Sequence, residues 1–79
     1  MKFAEAYEIA YNECNFIRRA TERVKECIML GQASPCFLFT IGTETFYFGF
    51  DGVQVVKGKH TQKRSEQLIM NGETWIVRN

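Results

Sequence analysis

Over residues 2–30 apolar or small side chains recur in alternating steps of four and three: Phe3, Tyr7, Ala10, Cys14, Ile17, Thr21, Val24 and Ile28. Glu5, Glu8, Arg18, Arg19, Glu22, Arg23, Lys25 and Glu26 mostly avoid that line, so the segment predicts an amphipathic helix. Gly31 after Leu30 supplies a C-terminal stop, and Ser34-Pro35 bars any continuation. A continuous helix of this span would be about 42 Å long. A domain of this chain length is only about 30 Å across. Either the helix breaks near Asn12–Asn15, or one end overhangs and finds a partner. A repeat of this spacing suits a two-helix seam, and hence a homodimer through the N-terminal helix. The favoured reading instead packs the stripe on the chain's own sheet.

From residue 36 the period changes to two. CFLFTI and TFYFGF are strands separated by a turn over Gly42–Glu44, and Asp51-Gly52 predicts a tight two-residue hairpin. That hairpin sets Phe50 opposite Val53 and Phe48 opposite Val55, with Phe46, Phe48, Phe50, Val53 and Val55 on one face. An even loop at the first hairpin adds Phe37, Phe39 and Ile41 to the same face, which then meets the helix. The other face holds Leu38, Thr40, Tyr47, Gly49, Gln54 and Val56. It is half apolar and suits a partner. Beyond residue 65 two readings compete. A hairpin about Asn71-Gly72 sets Leu68 opposite Trp75; otherwise a short helix over 61–70 precedes a TWIVRN strand.

The predicted architecture is therefore α+β, a single domain over 1–79. A long N-terminal helix (1–31), broken or overhanging, packs on an antiparallel β-meander of three to five strands. The meander spans 36–57, a basic connection spans 58–65, and the hairpin or helix-plus-strand tail spans 66–79.

Composition adds limits. Hydrophobic residues are 46% and aromatics 14% of 79 residues, enough apolar area to offset chain entropy. The net charge of +1 offers no global field for nucleic acid or anionic membrane. No stretch approaches a membrane span, and Glu5 and Glu8 interrupt any leader-like apolar start. Cys14, Cys27 and Cys36 are odd in number and lack CxxC spacing, which predicts reduced thiols in a cytoplasmic protein.

Charge is uneven, however. Lys57, Lys59, His60, Lys63 and Arg64 fall within eight positions. The run fails as a phosphate loop: Gly52 and Gly58-Lys59 are spaced wrongly, and His60 stands where a Ser or Thr would hold magnesium. One histidine and scattered cysteines predict no metal site, and no cofactor is expected. A nucleophile beside His60 would have to be Cys36 or Ser65, and nothing in the pattern orders either pair. The predicted function is a non-enzymatic protein-binding module that acts by steric occupation of a partner surface, as accessory subunits and phage-encoded inhibitors do. The alternative is nucleic-acid binding, with Lys57, Lys59, His60, Lys63 and Arg64 meeting phosphates and Tyr47 stacking a base.

Overall fold

The computed structural model describes residues 1–60 and 72–74. Its elements are α1 (Phe3–Glu13), α2 (Asn15–Leu30), β1 (Cys36–Ile41), β2 (Glu44–Phe50), β3 (Val55–Lys59) and β4 (Gly72–Thr74). The fold is α+β, with two helices on one face of the sheet and a three-strand antiparallel meander as its centre.

The helical region is two helices rather than one. Cys14 leaves the helical region of conformational space (φ −128°, ψ 116°), and its N–H still closes α1 onto the Ala10 carbonyl at 2.8 Å. The Arg18 guanidinium of α2 donates to the Tyr11 carbonyl at 2.5 Å and to Asn15 Oδ1. That bond satisfies one of the carbonyls orphaned where α1 ends. The hydroxyls of Tyr7 and Thr21 bond each other, although on a straight helix 14 residues would separate them by about 21 Å. The chain thus folds back at Cys14, and a span of about 42 Å becomes two lengths that fit a molecule 34 Å in its longest dimension.

At the far end of α2, Gly31 adopts the left-handed conformation (φ 69°). Its N–H reaches Ile28 O at 3.2 Å, and the next N–H, of Gln32, reaches Cys27 O at 2.9 Å. This double closure stops the helix where the sequence places its stop.

The first hairpin has the even loop. Phe37 pairs with Phe48, Phe39 with Phe46 and Ile41 with Glu44, leaving Gly42 and Thr43 as the turn, with Gly42 at φ 63°. Phe37, Phe39, Ile41, Phe46, Phe48 and Phe50 therefore share the helix-facing side. There they form one core with Ala6, Ala10, Ile17, Ala20 and Val24. The Phe39 ring sits 5.5 Å from Phe46, 6.0 Å from Phe3 and 6.1 Å from Phe48. The helical stripe is thus occupied by the chain's own sheet.

The second hairpin departs from the sequence expectation. Phe50 pairs with Val55 and Phe48 with Lys57, so residues 51–54 form a four-residue loop instead of a two-residue one. Asp51 Oδ1 accepts the N–H groups of Val53 and Gln54, each at 2.8 Å, and the Asp51 N–H closes on Gln54 O at 3.1 Å. An aspartate that binds its own loop in this way offsets the preference of Asp-Gly for the shorter turn. The slip is by two residues, so Val55 keeps its face, whereas Val53 leaves the sheet and is 87% exposed.

β4 pairs in parallel with β1, Cys36 opposite Gly72 and Leu38 opposite Thr74, giving the order β3-β2-β1-β4. Gly72 thus lies in a strand and not in a turn. Pairing there satisfies backbone groups that the outer edge of β1 would leave open. The other features proposed for 61–71 and 75–79 lie outside the described residues.

Candidate binding surfaces

Tyr47 is predicted from sequence as an exposed stacking platform, and the structure corrects this. It is 8% exposed and forms a second small core with Leu38, flanked by Cys36 and Val56. Its ring lies over Gly58 across the strand pair. A Cβ on Gly58 would sit 3.3 Å from the Tyr47 Oη. The missing side chain at Gly58 makes room for the ring, and Tyr47 is unavailable to a base. The half-apolar face of the sheet is accordingly a buried cluster at Leu38 and Tyr47.

The basic run is divided. Lys57 and Lys59 project from the helix-facing side of β3, since Lys57 pairs with Phe48 and Lys59 with Phe46. Lys59 Nζ lies 2.7 Å from Glu44 Oε1, and the amino group of Met1 lies 3.0 Å from the other oxygen. The hydrogen bond from Lys59, then that from the amino terminus, holds the Glu44 carboxyl below its usual pKa. Lys59 thus shares the Glu44 carboxylate with the amino terminus, and the three groups together keep one positive charge. Lys57 is exposed, with its Nζ 5.8 Å from the Phe3 ring centre, and among the described residues it makes no ion pair. His60 is anchored by its backbone, its N–H donating to Thr45 O at 3.0 Å. Lys63 and Arg64 lie outside the described residues.

The Cys36–His60 pair is not brought together. Cys36 starts β1 at the level of Gly49, whereas His60 lies level with Thr45, about 13 Å further along β2. Among the described residues no group of three or more His, Cys, Asp or Glu side chains could hold a metal ion, and no polar or charged side chain is buried. No described helix is long and apolar enough to cross a membrane.

Two surface features escape sequence reasoning. One is an open concavity along α2, lined by Asn15, Arg18, Arg19, Glu22, Arg23 and Glu26 and reaching Cys27, Leu30 and Gln32 at the helix's end. Charges of both signs line it, and Arg18 is committed to Tyr11 and Asn15. The other is an apolar end. Ile28, Met29 and Leu30 close α2 with exposures of 42%, 86% and 60%, and Val53 and Val55 are exposed on the 51–54 loop and at the start of β3. These two groups share one end of the molecule. The Ser34 N–H bonds Phe50 O at 2.8 Å, and a Cβ on Gly52 would lie 3.9 Å from that of Ala33. The run IML in the sequence signals the apolar character but not its exposure, because the helical stripe ends at Ile28.

No protein-family model, curated protein or solved structure matches the chain.

Proposed function

We propose that the protein is a small non-enzymatic binding module that acts by occupying the surface of a protein partner. The observation that carries this reading is the apolar end formed by Ile28, Met29, Leu30 and Val53. Scattered single exposed apolar residues are ordinary, but several gathered at one end mark a contact surface. Three free cysteines fit a reducing, cytoplasmic setting, and accessory subunits and phage-type inhibitors are the class of protein in view. The test is affinity capture from the source organism with the wild type and a Met29→Glu/Leu30→Glu double variant. A discrete partner enriched by the wild type and lost with the variant is expected. No enrichment overturns the reading, and equal enrichment removes the apolar end as its contact surface.

Direct nucleic-acid binding through residues 57–64 is the second reading, and exposed Lys57, without an ion pair among the described residues, is what favours it. Titration of single- and double-stranded DNA and RNA at two salt concentrations checks it, with a Lys57→Ala/Lys63→Ala/Arg64→Ala variant alongside. Affinity that falls with salt and with the variant is the expected result. Absence of binding at low salt removes this reading.

A further inference from the structure

Among the described residues β3 is the outer strand of the sheet on the side away from β4. Its backbone directions follow from one bond. The His60 N–H points inward to Thr45 O, and strand geometry alternates, so Val56 and Gly58 also bond towards β2. Val55, Lys57 and Lys59 therefore direct their N–H and C=O groups outward. These three are also the exposed positions of the strand, and their side chains stand on the helix-facing side. Each residue that offers a backbone pair at this edge thus also offers an exposed side chain beside it.

We infer that the β3 edge is a docking site for an extended acidic segment of a partner protein, which adds to the sheet as an antiparallel strand. The inference deepens the binding-module reading and rests on it, because it names the chemistry of one contact. Charge selects the occupant. Among the described residues Lys57 has no carboxylate partner, so a carboxylate opposite it gains a pair there. Lys59 already holds Glu44, and a second carboxylate opposite it would share that cation. Val55, 47% exposed, asks for an apolar neighbour. Read from its N-terminus, the incoming strand is acidic, any, acidic, any, apolar. A second copy of this chain is the wrong occupant: antiparallel pairing of two β3 strands about Lys57 sets Lys57 against Lys57 and Val55 against Lys59. Like charges directly opposite oppose strand pairing, so lysines at this edge discourage self-association while admitting the opposite sign.

The test uses a fluorescent peptide containing Glu-Thr-Glu-Thr-Val, its counterpart with lysines for glutamates, and two backbone N-methylated forms. Methylation at the second glutamate, whose N–H meets Lys57 O, blocks pairing. Methylation at the first threonine, whose N–H points away, does not. The glutamate peptide is expected to bind the whole protein, the lysine peptide about tenfold more weakly. Lys57→Glu, an exposed change, reverses that order. N-methylation abolishes binding at the glutamate only. No binding at about millimolar peptide, or equal sensitivity to the two methylations, overturns the strand site. Capture that depends on Met29 and Leu30 without peptide binding leaves the module reading standing and removes this one. Peptide binding with partner capture that survives the Met29→Glu/Leu30→Glu change supports the β3 site and removes the apolar end.

Discussion

Gly49 has no side chain because the backbone before β1 crosses it. A Cβ there would lie 2.8 Å from the Pro35 carbonyl oxygen and 3.1 Å from Cys36 Cα. Backbone cannot yield as a flexible side chain does, so Gly49→Ala is expected to cost about 1–3 kcal/mol, measured as a lower denaturant midpoint. Glu44 and Asp51 make a second prediction at this scale. Lys59 and the amino terminus lower the Glu44 pKa, and the Gln54 and Val53 amides lower that of Asp51. The unfolded chain then takes up protons at a higher pH than the folded one. The stability these groups add is complete above the ordinary carboxyl pKa and is lost as pH falls through the lower folded values. Unfolding followed from pH 6 down to 2 should show this acid limb, and Glu44→Gln should flatten it more in low salt than in high. Tyr47 marks what residue identity leaves open: a tyrosine in a strand is legible, but its burial over Gly58 depends on a register the sequence does not print.

At the scale of elements, the joint at Cys14 decides the shape of the helical layer. Asn12 and Asn15 suggest a break because short amides bond locally in place of the helix ladder. The closure is supplied by Arg18, seven residues from the carbonyl it caps. Arg18→Met should keep the aliphatic packing, leave the Tyr11 carbonyl unpaired, and cost about 1–3 kcal/mol in thermal or chemical unfolding. The end of α2 and the parity of the first hairpin were both readable, one from Gly31 and the other from the phenylalanine pattern. The register of the second hairpin was not. Asp-Gly favours a two-residue turn by local propensity, but Asp51 binding its own loop and the fit of Tyr47 on Gly58 select a register two residues away. A slip of two preserves every face, so hydrophobic alternation cannot detect it.

For the whole molecule, the phenylalanine layer is the main source of stability, and Phe39 lies at its centre, fully buried against rings from α1 and β2. Phe39→Ala should cost about 3–5 kcal/mol and unfold much of the population at moderate temperature, seen by circular dichroism. Most of the helical stripe, from Phe3 to Val24, is taken up by this core, which leaves Ile28 as its exposed end for any self-association. Light scattering at high concentration, against a monomer mass of 9.2 kDa, measures it directly. The β3 lysines predict a monomer at that edge.

What the sequence determined by itself is the class of object: an α+β chain, a helical segment that stops at Gly31, and a face of alternating phenylalanines that its apolar stripe must cover. These follow from periodicities of 3.6 and 2, which are local properties. Only the tertiary structure decided where the helix folds back, which strand lies outermost, and which polar groups meet. Lys59 and Glu44 are 15 residues apart, and nothing local distinguishes Lys59 from Lys57. Among the described residues the one is paired and the other has no ion pair, because Glu44 begins the neighbouring strand, beside Lys59.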